Sequence, residues 1–226
     1  MAAHSAEATP DGDIHHAAAM DHIYRYQRYV YDVTRRYYLI GRNEMIAGLS
    51  PPRDGTILEI GCGTARNLVE AANTFPNVSL YGFDISTEML KTAARSVAKT
   101  PHAHRIALAQ GDATTFDTGT MFARQNFDRI FISYALSMIP DWQAIVPRAA
   151  DHLADGGELH IVDFGCMDTM PTIARRAMLA WLARFSVTPR RDLESVVRDV
   201  AHHHGLQVEF KNGALGYWAS AILRRA

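Results

Sequence analysis

Glu59, Gly61 and Gly63 have the types and spacing to hold a ligand close against backbone. They lie in Thr56-Ile57-Leu58-Glu59-Ile60-Gly61-Cys62-Gly63-Thr64-Ala65-Arg66-Asn67, which reads as a buried strand, a glycine turn and a helix start. The glycines allow a sharp turn and close approach. The first N–H groups of the following helix then point at the ligand. A dinucleotide site would want a third glycine at the sixth position of the turn, for tight helix packing. Arg66 stands there and suits that packing poorly. The acid at Glu59 also suits a cationic group, such as a sulfonium and an α-ammonium, better than a pyrophosphate. About twenty residues further on, Asp84 ends a strand-like run, where a carboxylate can accept hydrogen bonds from ribose hydroxyls. Ile85 can cover one face of a base. Taken alone, the stretch also fits an ordinary strand-turn-helix.

The elements that must position these residues alternate. Helical patterns cover residues 67–73 and, after the N-cap Ser86, residues up to 97. Strands are expected at 78–83, 106–110, 127–135 and 158–164, the last after the turn Asp155-Gly156-Gly157. Gly111-Asp112-Ala113 follows the third strand, where the aspartate could simply form the turn. Residues 137–142 are expected to open a helix. Another runs from Asp192 to Gly205. Residues 206–210 and 216–223 read as an antiparallel pair. This pattern predicts a three-layer α/β sandwich. Ligands of open α/β sheets lie beyond the carboxyl ends of the strands, so Ser133, Tyr134 and Ala135 should face the site.

Two further segments carry unusual surfaces. In residues 21–42, Ile23, Tyr26, Val30, Val33, Tyr37 and Ile40 form one apolar helix face. Beside it run Tyr24, Arg28, Tyr31, Arg35, Tyr38 and Arg42 at the same spacing. That row fits a snorkelling rim, or a lid whose arginines take anionic groups and whose tyrosine faces take a cation. In the insertion 166–189, Ile173, Ala174, Ala177, Met178, Trp181, Leu182 and Phe185 make a helix stripe with Arg175, Arg176 and Arg184 as its charges. Core packing and a lipid-facing lid both fit it. The expected organisation is a disordered stretch at 1–13, a helical lid at 14–54 and one domain at 55–226.

Bulk properties exclude several classes. The chain has 226 residues, enough for one domain with a full core. Its net charge of -1 and pI near 6.8 argue against nucleic acid as a partner. Its two cysteines, Cys62 and Cys166, imply no disulfide framework, so a reducing cytoplasm is expected. No apolar run reaches the roughly 18 residues of a membrane span, and the N-terminus lacks a signal-peptide core. His15-His16 and His202-His203-His204 lack the i, i+4 spacing of helical metal ligands, so no metal is expected.

Glu59-x-Gly61-x-Gly63 with Ala65 in place of a third glycine, Asp84, Gly111-Asp112 and the strand ending near Tyr134 occur in the order seen in the class I S-adenosylmethionine (SAM)-dependent methyltransferases. The chain resembles that family over residues 55–223. The resemblance implies a Rossmann-like sandwich with a mostly parallel seven-stranded sheet and an antiparallel C-terminal hairpin. It implies SAM as cofactor and S-adenosylhomocysteine as product. Glu59, Gly61, Cys62, Gly63, Asp84, Ile85, Asp112, Ala113 and Ser133 would hold the cofactor, with Asp112 reading the adenine amino group and Tyr38 and Arg42 near the methionine carboxylate.

Residues 25–42, Gly61-Cys62-Gly63-Thr64-x-Arg66-Asn67-Leu68 and Trp181-Leu182-Ala183-Arg184-Phe185-x-Val187-x-Pro189-Arg190 also resemble the bacterial betaine-lipid N-methyltransferases. That resemblance implies successive N-methylation of diacylglyceryl-homoserine at the cytoplasmic leaflet by a peripherally bound enzyme. Tyr24, Arg28, Tyr31, Arg35 and Trp181 would meet the lipid, and Tyr134 would position its nitrogen. The amine would arrive neutral and attack in line, with alignment worth up to about 7–11 kcal/mol. Phosphatidylethanolamine or a soluble molecule as acceptor, a SAM-binding scaffold without turnover, and a nicotinamide dehydrogenase remain as alternatives.

Overall fold

A computed structural model describes residues 39–225. The expectations for residues 1–13 and for most of the 14–54 lid, including Tyr24, Arg28, Tyr31, Arg35 and Tyr38, lie outside the described residues.

Strand β1 (Thr56–Ile60) is buried at every position and sits centrally in the sheet. On one side lie β2 (Ser79–Asp84) and β3 (Ile106–Gln110), and on the other β4 (Phe127–Ser133) and β5 (Leu153–Phe164), all parallel. Strands β6 (Gln207–Asn212) and β7 (Trp218–Arg224) complete the order β3-β2-β1-β4-β5-β7-β6, with β7 antiparallel to both neighbours. The expected sheet and C-terminal hairpin are therefore present. The strand order reverses between β1 and β4, and a crevice opens at the carboxyl ends of strands at such a point.

Seven helices accompany the sheet among the described residues: α1 (Arg42–Gly48), α2 (Arg66–Thr74), α3 (Thr87–Ala98), α4 (Thr118–Phe122), α5 (Ile145–Asp151), α6 (Thr172–Ala183) and α7 (Leu193–His204). Side chains alternate along each strand, so the sheet faces two cores. Leu58 and Ile60 join Ile145, Val146, Val197 and Ala201 in one. Ile57 joins Leu68, Ala71, Ala72 and Phe131 in the other. Gly82 lets α2 sit tightly on this second face, since a Cβ there would lie 2.4 Å from Leu68 Cδ1 and 3.0 Å from Cys62 Cβ.

Two local expectations are corrected. Residues 137–142 do not open a helix; short 3-10 turns form at Leu136–Met138 and Trp142–Ala144, and α5 begins only at Ile145. Pro140 forces the residue before it out of the helical region, and Ile139 is extended at φ -100° and ψ 121°. The fifth strand also starts earlier than Glu158. Leu153 already pairs with Phe127, and a register shift absorbs the glycine turn before Arg129 pairs with Glu158.

Cross-strand charge ties β5 to both of its neighbours. Glu158 stands opposite Arg129 of β4 and Arg224 of β7. Its carboxylate accepts from Arg224 Nε at 3.0 Å and His160 Nε2 at 2.8 Å, with Arg129 Nε at 3.8 Å. Burial holds His160 below its usual pKa of 6.5, despite the neighbouring Glu158. Burial would raise Glu158, but His160, Arg129 and Arg224 outweigh it and hold that carboxyl low. A folded-state pKa lower than the unfolded one makes the unfolded chain take up the proton first. Stability from His160 is thus intact above pH 6.5 and declines as the pH falls below it, whereas the Glu158 contribution is lost only below about 4.5. Thermal melts from about pH 7.5 to 5 should show this decline, and His160→Gln should flatten it in that window. An identical pH dependence in the variant would contradict the assignment.

Candidate cofactor and acceptor site

The glycine turn is built at the end of β1. Gly61 takes φ 72° and Gly63 φ 52°, both left-handed. A Cβ on Gly61 would lie 2.9 Å from Ala135 Cβ, so only glycine lets the turn pass the exit of β4. Ala65, in the place of a third glycine, is also left-handed at φ 60°, which costs an L-residue roughly 1–2 kcal/mol. Arg66, exposed, is the first residue of α2, and tight packing on the sheet falls to Gly82 instead.

Asp84 ties this turn to β2 and α3. Its Oδ2 accepts from Gly63 N–H at 2.8 Å and its Oδ1 from Ser86 N–H at 2.9 Å. Phe83 O accepts from both Gly61 N–H and Cys62 N–H, at 3.0 and 2.9 Å. Ser86 caps α3 through Met89 N–H as expected. A carboxylate oxygen accepts more than one hydrogen bond, so Asp84 retains capacity for ribose hydroxyls at a position set by backbone amides.

Two cavities share Gly61 and Gly63. The larger, with about 880 Å³ of empty space partly open to solvent, is lined by Phe83, Asp84, Ile85, Asp112, Ala113, Tyr134 and Ala135, and by Met138 to Asp141. That size suits a small-molecule site. Asp112 Oδ1 accepts from Thr114 N–H and hydroxyl at 2.7 and 2.8 Å, which turns the chain and leaves Oδ2 for a donor such as an exocyclic amine. The smaller cavity is polar and is lined by Arg42, Glu59, Cys62, Arg66, Asn67 and Ser133. Glu59 reaches it because it shares the face of Ile57 toward α2, where Asn67 Nδ2 donates to its Oε1 at 2.7 Å. Ser133 Oγ lies buried there with no hydrogen-bond partner among the described residues. A buried polar atom of that kind fits a ligand contact. Burial, with Asp84 and Glu59 adding to it, pushes the Cys62 thiol well above its usual range, so it stays protonated. Together these features fit SAM: base and ribose in the larger cavity, and the charged amino-acid end among Glu59, Ser133 and Arg42.

Two residues expected to meet the acceptor have other contacts in the described structure. Tyr134 backs the larger cavity, but its side chain is 1% exposed and its hydroxyl donates to Ile40 O at 2.5 Å. Burial and the nearby Asp163 push its phenol up, keeping it a donor. Its ring packs edge-on against Phe164, so it anchors residue 40 to the mouth of β4 with its hydroxyl proton committed to Ile40 O. Trp181 packs on Phe185 at 5.1 Å beside the second core and lines neither cavity. Sequence reading missed Met89, Thr114, Met138 and Ile139 in the larger cavity and Arg66 and Asn67 in the smaller. Pro140 was the available signal for the third and fourth of these, since it denies their segment a helix.

Residues 57–157 match the family model described as "Methyltransferase domain". The chain is 30% identical over 137 residues to trans-aconitate 2-methyltransferase of Variovorax paradoxus, covering 60% of this chain and 47% of that protein. It is also 30% identical over 128 residues to phosphatidylethanolamine N-methyltransferase of Cereibacter sphaeroides, covering 57% and 60%. The chain thus spans about half the length of the first of these relatives and somewhat more of the second. The solved structure of Haemonchus contortus phosphoethanolamine N-methyltransferase 2 in complex with S-adenosyl-L-methionine superimposes with a TM-score of 0.65 at 18% identity, over 81% of this chain and 52% of that one. The strand order is that of the class I methyltransferase fold, and the family match covers residues 57–157, a little under half of the chain. The Haemonchus contortus structure holds S-adenosyl-L-methionine, a molecule that the two cavities described above fit.

Asp84→Ala should weaken S-adenosylhomocysteine binding by roughly 10- to 100-fold, since hydrogen bonds to a charged group are worth about 1.5–3 kcal/mol. Asp112→Ala should cost less, because one of its oxygens serves Thr114. Titration calorimetry would read both, and wild-type affinity in the two variants would remove these residues from the site.

Proposed function

We propose that this protein is a SAM-dependent N-methyltransferase acting on the amino group of a lipid headgroup, with diacylglyceryl-homoserine as acceptor and its N-trimethyl betaine lipid as final product. The observation that carries methyl transfer is the convergence of Glu59, Gly61, Gly63, Asp84 and Asp112 on two adjoining cavities. Bound SAM supplies an electrophilic methyl on a sulfonium. The chain's own residues bind and orient it: Asp84 at the ribose, Asp112 at the base, Glu59 and Ser133 at the ammonium, Arg42 at the carboxylate. The apolar wall of Met138 and Ile139 keeps water from one side of the larger cavity. The acceptor nitrogen must be neutral when it attacks; among the described lining residues the groups that could take a proton are carboxylates, with no histidine or lysine.

Support for a lipid acceptor is of three kinds. The sequence resembles betaine-lipid N-methyltransferases in the segments quoted above. The Cereibacter sphaeroides relative bears the name of an enzyme for a phospholipid amine. Helix α6 keeps Ile173 at 86% exposure and carries Arg176, with Arg184 just past its end, on exposed positions. Apolar side chains flanked by arginine suit a headgroup boundary. No described helix is long and apolar enough to cross a membrane, so contact with the cytoplasmic leaflet would be peripheral.

The test is methyl transfer from labelled SAM into a lipid extract holding both diacylglyceryl-homoserine and phosphatidylethanolamine, with products resolved by mass. Mono-, di- and trimethylated homoserine lipid is the expected result. Label in phosphatidylethanolamine alone would reassign the acceptor, and label in neither, with SAM still bound, would move it to a soluble amine.

A further inference from the structure

One wall of the larger cavity, residues 138–141, has no α-helix or strand to hold it. Residues 135–141 run as one 3-10 turn, an extended Ile139 and then Pro140, yet Met138, Ile139 and Asp141 line the site. Such a segment needs its carbonyls satisfied from outside. Arg190 does this. Its Nε donates to Leu136 O at 3.0 Å and its Nη2 to Ile139 O at 2.6 Å, so one guanidinium spans the turn. Two residues earlier, Thr188 N–H donates to Ser137 O at 2.8 Å. From the opposite side, Asp163 Oδ2, fully buried, accepts from Ser137 N–H at 3.1 Å. The guanidinium carbon of Arg190 also sits 6.0 Å from the Trp142 ring centroid, which fixes its plane.

The same stretch is locked to the end of α6. Phe185 N–H and Val187 N–H both donate to Leu182 O, at 2.9 and 3.2 Å, and Leu182 and Val187 are buried in the core that holds Tyr134. A covalent path of three residues thus joins that buried anchor to Arg190. We infer that Arg190 is a positioning residue: it holds residues 136–139 as the cofactor-cavity wall and couples that wall to the seat of α6. The inference rests on the cofactor assignment and is independent of which acceptor is methylated.

A matched arginine provides the control. Arg105 donates to Ala72, Phe75 and Val78 carbonyls at 2.9, 3.1 and 2.7 Å, the same kind of clamp, and lines neither cavity. Binding of S-adenosylhomocysteine and thermal stability would be measured for Arg190→Ala, Arg190→Lys and Arg105→Ala. Arg190→Ala should bind roughly tenfold more weakly, the scale of one lost hydrogen bond from a charged group. Arg190→Lys should fold and still bind weakly, because a single ammonium does not reproduce a planar fork across two carbonyls. Added ethylguanidinium should restore part of the affinity of Arg190→Ala. Arg105→Ala should lose stability and keep its affinity. Wild-type affinity in both Arg190 variants, or an equal loss in Arg105→Ala, would overturn the inference. The readout needs no acceptor, so a failed lipid assay leaves it intact.

Discussion

The interaction on which the site depends is the carboxylate of Asp84 bridging two backbone amides. Gly63 N–H and Ser86 N–H each give it a hydrogen bond, so one side chain joins the turn after β1 to the start of α3. Hydrogen bonds to an ionised acceptor are stronger than neutral ones. They also cost a ligand nothing to organise, because the chain has already fixed the carboxylate. Phe83 O reinforces the same junction by accepting from Gly61 and Cys62. The left-handed backbone at Gly61 and Gly63 lies within this same junction, and glycine adopts it without steric cost.

From that junction the two cavities acquire distinct characters. The larger meets Phe83, Ile85, Met138 and Ile139 and presents carboxylates only at defined points. The smaller gathers Glu59, Asn67, Arg42 and Ser133 and is mainly polar. A ligand with a flat aromatic end and a zwitterionic end meets each with the matching surface. The division arises from strand parity: Glu59 turns toward α2 with Ile57, while Leu58 and Ile60 serve the other core.

The acceptor side is organised differently. Tyr134, at the exit of β4, gives its hydroxyl to Ile40 O and thereby ties the start of the described chain to the mouth of the cleft. Gly41 permits this approach, with φ 83° and Trp218 and Val162 closest to where a Cβ would stand. On the other flank, Arg190 and Thr188 bind the cavity wall to the insertion that carries α6. Segments remote in sequence therefore set the boundary of one site.

How much of this was legible in the residues follows from the range of the forces involved. Strand β1 was readable because burial at every position leaves a continuous apolar signature, whereas β3, an edge strand with no buried position, was readable from a short apolar run stopped by Gly111. Glu59, Gly61, Gly63, Asp84 and Asp112 were readable because the glycine turn and the ends of strands are local features with fixed spacing. The 3-10 wall at 136–138 was misread, since Pro140 competes with an apolar helical pattern and only packing decides between them. Tyr134 was assigned to the acceptor from its place at the strand exit. Whether a hydroxyl there meets substrate or a carbonyl 94 positions away is set by the path of the N-terminal segment, which no local pattern encodes. Arg190 was legible only as the last residue of a segment resembling betaine-lipid N-methyltransferases, with no role of its own. Its bonds to Leu136 and Ile139 exist only because β5, the insertion and the loop after β4 converge, so the sequence by itself determined the ligand-facing chemistry and the tertiary structure alone decided what holds it in place.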